Sequence, residues 1–135
     1  MRIKFPHFTP DEAEVLREFI AQKVLVGDWS FDVRLKSEKA ELAAEYPPEI
    51  RSMWEAVTAK RIDAVCETTD AVNIIEVKKY MLHSGIGQLL TYRELYREQY
   101  KPTKPIVLWL IAKYPDPEVL RVCERLGIRT WVMEK

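Results

Sequence analysis

The sequence is short of cysteine and of side-chain amides. Its two cysteines, Cys66 and Cys123, stand in 135 residues, one in a stretch of strand character and the other in a helical one, without metal-ligand spacing. A disulfide scaffold and a cysteine nucleophile are both set aside, and the two are read as packed thiols. One asparagine and three glutamines make up the whole amide complement, so a glutamine inside a motif carries more weight than usual. No apolar run approaches the ~18 residues of a membrane-crossing helix, and the N-terminal MRIKFPHFTPDEA has no signal-peptide apolar region. A soluble, cytoplasmic protein without membrane association is expected. Net charge is zero, 21 basic against 21 acidic side chains, which argues against a histone-like general binder. Repeats, linkers and low-complexity tracts are missing too, and the length suits a single domain over residues 1–135.

The charge that is present is unevenly spread. Residues 1–59 carry 8 basic and 11 acidic side chains, whereas residues 60–113 carry 9 and 6. The second segment therefore holds the positive excess, a weak pointer to phosphate.

Read in order, Thr9, Pro10 and Glu12 form a capping box that opens a helix. Leu16, Phe19, Ile20 and Val24 give it an apolar stripe, and Gly27 suits its end. Residues 29–36 alternate as a half-buried strand. Lys36 to Tyr46 is polar, a loop where a mobile substrate-facing segment fits. Pro47 and Pro48 then introduce a second helix with Ile50, Met53, Trp54 and Val57 at helical spacing, Trp54 in the core. From Lys60 to Tyr92 two short β-branched runs and a helical pattern read as a hairpin feeding a helix. Gly85 and Gly87 serve the turn into that helix, which runs to about Tyr100. Ile106 to Ala112 is an apolar run bounded by prolines, a buried central strand. Asp116 to Leu126 forms a further helix stopped by Gly127, and Ile128 to Met133 a last strand, parallel to its predecessor.

The hairpin can be registered. A two-residue turn at Thr69 and Asp70 sets Asp63 opposite Glu76 and Arg61 opposite Lys78. Alternation then puts Asp63, Glu76 and Lys78 on one face with Val65, Val72 and Ile74, and Ile62, Ala64, Cys66, Ile75 and Val77 on the other. Opposed residues lie ~5 Å apart at Cβ, close enough for two carboxylates to share one cation. Two readings follow. Lys78 and Arg61 neutralise the two acids as a structural ion-pair cluster. Alternatively Asp63, Glu76 and the Val77 carbonyl hold Mg²⁺ or Mn²⁺, and Lys78 orients or deprotonates the attacking water. Metal-assisted phosphodiester hydrolysis is the chemistry natural to the second set.

These residues resemble the PD-(D/E)xK nucleases. Asp63 is followed after 12 residues by Glu76, Val77 and Lys78 as the (D/E)xK signature, with Ile62 where the family name has proline. Gln88, Leu89, Leu90, Thr91 and Tyr92 look like the QxxxY motif of the RecB-like branch, on the helix after the hairpin as in that branch. The resemblance implies an α/β fold of restriction-endonuclease type. Its mixed sheet has about five strands flanked by helices, in core order αβββαβ, with an extra helix before the hairpin and a C-terminal αβ extension. It implies a Mg²⁺-dependent deoxyribonuclease in which Gln88 and Tyr92 organise the site. By the same resemblance an acid on the first helix lies near the metal, and Glu12 is best placed for that role. Arg51, Lys60, Arg61, Lys79 and Arg93 are candidates for contact with DNA phosphates. A homodimer or a larger nucleic-acid-processing complex would enlarge so small a recognition surface. The alternative function is a nuclease fold without catalysis, serving as a DNA-binding or assembly component.

Overall fold

The computed structural model describes residues 7–36, 39, 42–57 and 60–134. Among them are four α-helices and one five-stranded mixed sheet: α1 (Pro10–Ala21), β1 (Asp28–Arg34), α2 (Pro48–Val57), β2 (Arg61–Glu67), β3 (Val72–Tyr80), α3 (Ser84–Tyr100), β4 (Ile106–Tyr114), α4 (Pro117–Leu126) and β5 (Arg129–Val132). The sheet runs β1-β2-β3-β4-β5. Its first three strands are an antiparallel meander, and β4 and β5 join in parallel through helical crossovers. The α/β class and the parallel final pair agree with the sequence. β4 is the expected interior strand, flanked in parallel by β3 and β5, with β3 at the middle of the sheet. No described helix is long and apolar enough to cross a membrane.

Apolar residues on both sheet faces create two cores. On one face α1 supplies Ala13, Val15, Leu16 and Phe19 against Ala64, Cys66, Ile75, Val77, Trp109 and Ile111. Phe19 sits edge-on to Trp29, Trp109 and Trp131, at centroid distances of 6.3, 5.4 and 5.4 Å, a geometry that aligns ring edges with ring faces. On the other face α3 and α4 cover Val65, Val72, Ile74, Leu108 and Leu110 with Ile86, Leu89, Tyr92, Val119 and Cys123.

The hairpin register is the one the turn implies. Ala64 faces Ile75, and the ladder continues to Glu67 opposite Val72, closed by the Thr68 N–H donating to the Ala71 carbonyl at 2.9 Å. One assignment of face is corrected. Ile62 packs in the α3-side core with Leu35, not beside Ala64. The paired β2–β3 ladder ends at Ala64, and on the β1 side Asp32 takes a left-handed backbone with φ 50°. Strict alternation fails where the β3 ladder has ended and the β1 backbone turns left-handed, although Val33 still pairs with Ile62.

Other boundaries shift for identifiable reasons. The Thr9–Glu12 capping box is present in both directions, but α1 ends at Ala21 with Gln22 as its cap. Val24 lies past the helix, and Gly27 immediately precedes β1, where a Cβ would meet the Glu67 carbonyl oxygen at 2.2 Å. β3 reaches Tyr80 and α3 begins at Ser84, so Gly85 lies inside the helix. There a Cβ would meet Leu110 Cδ1 at 2.7 Å, which makes it a contact glycine and not a turn glycine. None of the α2 side chains among the described residues belongs to either core. Trp54 is half-buried against the Tyr46 ring at 4.6 Å. Part of the expected loop from Lys36 to Tyr46 lies outside the described residues.

Candidate active site

The two acids sit where β2 and β3 part. Beyond Ala64 the Val77 N–H donates to Asp63 Oδ2 at 2.8 Å, so a side chain takes the place of the next ladder partner. This bond fixes the Asp63 carboxylate against β3. Glu76 is only 4% exposed, and its Oε2 has no hydrogen-bond partner. Burial, and then the Asp63 carboxylate with the hydrogen bond between them, pushes Glu76 up to about 10. Burial also raises Asp63, against the hydrogen bonds it receives from Glu76 and the Val77 N–H. The pair thus retains a proton at neutral pH, carried on Glu76 and shared with Asp63.

No ion pair relieves them. Among the described residues neither acid has a cation within 4.0 Å. Lys78 is half-buried, and its charge only partly offsets the upward shifts of Asp63 and Glu76. The Arg61 guanidinium lies 3.2 and 3.3 Å from the ring nitrogens of His7, not on Asp63. The structural ion-pair cluster therefore lacks the two bridges that define it.

Glu12 reaches the pair through its charge, which raises both Asp63 and Glu76. Its Oε1 is engaged by the Thr9 N–H at 2.9 Å. Among the described residues no three His, Cys, Asp or Glu side chains converge closely enough to enclose a metal ion. The set is a close pair with Glu12 as an outlying third. Its chemistry still fits a hard divalent cation: two adjacent carboxylates, one orphaned buried oxygen, and no soft ligand.

A pocket of about 660 Å³ is lined by Tyr92, whose hydroxyl feels the charges of both acids. Lys60 and Arg61 form one wall, and Ser84, Gly87, Gln88, Thr91 and Tyr92 of α3 form the other. Tyr92 is raised by burial first and then by the charges of Glu76 and Asp63, while a hydrogen bond from Gln88 opposes this. Its hydroxyl therefore stays neutral at ordinary pH. Gln88 Oε1 is buried without a partner. Burial lowers Lys60, with the nearby Lys39 charge adding to the effect.

Of the residues singled out from sequence, the structure groups Asp63, Glu76, Lys78, Gln88, Tyr92, Lys60 and Arg61. Val77 joins them through its N–H. Three candidate phosphate contacts lie apart. Lys79 turns toward α1 and pairs with Asp11 at 3.3 Å. Arg93 lies beside Glu94 at 3.8 Å, and Arg51 sits on α2 outside the pocket wall. Ser84 and Thr91 were missed, though their four- and three-residue steps from Gln88 place them on its helical face. Asp11, which holds Lys79 and Lys113 at 3.3 and 3.1 Å, and Asp32, which lies 3.9 Å from the His7 ring beside Arg61, were missed as well. Both depend on contacts made only after folding.

No protein-family model, curated protein or solved structure matches the chain.

Proposed function

We propose that this chain is a metal-dependent nuclease that hydrolyses phosphodiester bonds of DNA, organised like a PD-(D/E)xK enzyme of restriction-endonuclease type. The observation that carries the reading is the Asp63–Glu76 pair, with Glu76 buried, Asp63 half-buried and Glu76 Oε2 unpartnered, near a pocket lined by Lys60, Arg61 and Tyr92. Two adjacent acids without an ion-pair partner must hold either a proton or a cation. The order α1, β1, β2, β3, α3, β4, with α2 inserted, is compatible with the implied αβββαβ core.

Asp63 and Glu76 would hold Mg²⁺ or Mn²⁺, with the Val77 carbonyl as a third oxygen and Glu12 as an outlying acid. The bound ion supplies charge stabilisation for the phosphoryl oxygens and makes water a better nucleophile. Lys78 lies two residues beyond Glu76 on β3 and orients the attacking water or accepts its proton. Tyr92 donates a hydrogen bond, Gln88 holds the Tyr92 hydroxyl in place, and Lys60 and Arg61 receive the flanking phosphates.

The test is cleavage of labelled single-stranded, duplex, flapped and four-way DNA in Mg²⁺ or Mn²⁺. Asp63→Ala should abolish cutting, and Lys78→Ala should lower it by ~10²–10⁴-fold with metal affinity retained. Absence of cutting on every substrate by the folded wild type would contradict the reading and favour a non-catalytic DNA-binding role.

A further inference from the structure

Two Lys-Tyr dipeptides far apart in sequence, Lys79-Tyr80 and Lys113-Tyr114, are brought side by side by the parallel register of β3 and β4, which pairs Tyr80 with Tyr114. The two rings stack at a centroid distance of 5.5 Å and an interplanar angle of 23°. They nonetheless remain 54% and 38% exposed. The ammonium groups of Lys79 and Lys113 lie over the two rings, 5.2 and 5.7 Å from their centroids, and both are held by Asp11 on α1.

The placement of this pair matters more than its exposure. Tyr80 follows Glu76 and Lys78 at two-residue steps along β3, so the three share a strand face, with the tyrosine ~13 Å from the glutamate along the strand. The tyrosines also stand at the carboxyl ends of parallel strands, the edge where open α/β sheets receive ligands. The lysines are already paired with Asp11 and, for Lys113, also with Glu14 at 3.2 Å, so it is the flat, exposed aromatic surface that suits the faces of unpaired bases, which stack regardless of sequence. It does not suit a duplex, whose bases are covered by their neighbours and whose contacts are mostly with phosphates.

We propose that Tyr80 and Tyr114 form a stacking platform for unpaired nucleotides adjoining the Asp63–Glu76 site, so that the preferred substrate presents a single-stranded segment there. This rests on the nuclease reading and adds to it the class of substrate. Strand and platform lie within the ~4–16-nucleotide footprint of a single-strand-binding groove.

The test uses the full chain and a hydrolysis-resistant phosphorothioate DNA strand of about 16 nucleotides carrying 2-aminopurine, beside the same sequence as a blunt duplex. Binding to wild type should quench the 2-aminopurine. Tyr80→Ala and Tyr114→Ala should each weaken single-strand binding about tenfold or more. Tyr80→Phe should keep wild-type affinity, and duplex binding should change little in any variant. Cleavage of unmodified DNA by wild type in Mg²⁺ is measured in parallel. If wild type cuts but both alanine variants bind the single strand normally, the platform is overturned, the pair becomes a candidate protein-facing patch, and the nuclease reading stands. Quenching lost in the variants without cutting by wild type would support the platform and contradict the nuclease. Neither binding nor cutting would overturn both.

Discussion

At the scale of single residues, Glu76 governs the behaviour of the metal-free protein. Its side chain titrates near 4.5 when unfolded and is pushed up to about 10 in the fold, so between those values the folded state holds the extra proton. Stability is then fully present below the unfolded value and declines as pH rises toward the folded one, with a slope of at most ~1.4 kcal/mol per pH unit. Thermal unfolding in chelator should show this decline from about pH 5 to 9. Glu76→Gln should flatten it and exceed wild type by ~1–3 kcal/mol near pH 8, whereas an equal decline in the variant would remove Glu76 as its source. Asn73 is the structural counterpart. It donates to the Cys66 carbonyl at 3.1 Å and accepts from Trp109 Nε1 at 2.9 Å, and Asn73→Ala should cost ~2–3 kcal/mol in urea unfolding. The scarcity of amides gave weight to Gln88 in the sequence and applied equally to Asn73, whose partner Trp109 is 36 residues away and invisible to local pattern.

Among the elements, those set by short-range rules were legible. The Thr9–Glu12 capping box, the Pro48 helix start, the Gly127 stop and the β2–β3 register each depend on residues a few positions apart. What escaped depends on contact across the fold. Ile62 changes face where its β3 ladder has ended though Val33 still pairs with it, Trp54 lies outside both cores, and Gly85 is shaped by Leu110. The last point gives a prediction of opposite signs on one helix. Gly85→Ala places a methyl against Leu110, which is fully buried and cannot retreat, so overpacking of ~1–3 kcal/mol should exceed the helix-propensity gain. Gly87→Ala meets nothing within 4 Å and should stabilise by ~0.5–1 kcal/mol. Denaturant midpoints of the two variants check this, and a shift in the same direction for both would refute the packing argument.

For the molecule as a whole, the candidate site was legible in its first layer and not in its second. Asp63, Glu76, Lys78, Gln88 and Tyr92 follow from hairpin alternation and helical spacing within one stretch of chain, and the fold brings them together. Glu12, 51 residues before Asp63, could be placed only through the family resemblance, and the stacked tyrosines only through the β3–β4 register. The central claim is that the buried acid pair is completed by a divalent cation, which requires the proton on Glu76 to leave. Calorimetric titration of the metal-free protein with Mn²⁺, repeated in buffers of different ionisation enthalpy near pH 7.5, tests this without depending on choice of substrate. The account predicts binding with release of about one proton, lost in Glu76→Gln. Folded wild type that binds no Mn²⁺, or a Glu76→Gln variant that binds it equally well, would contradict it.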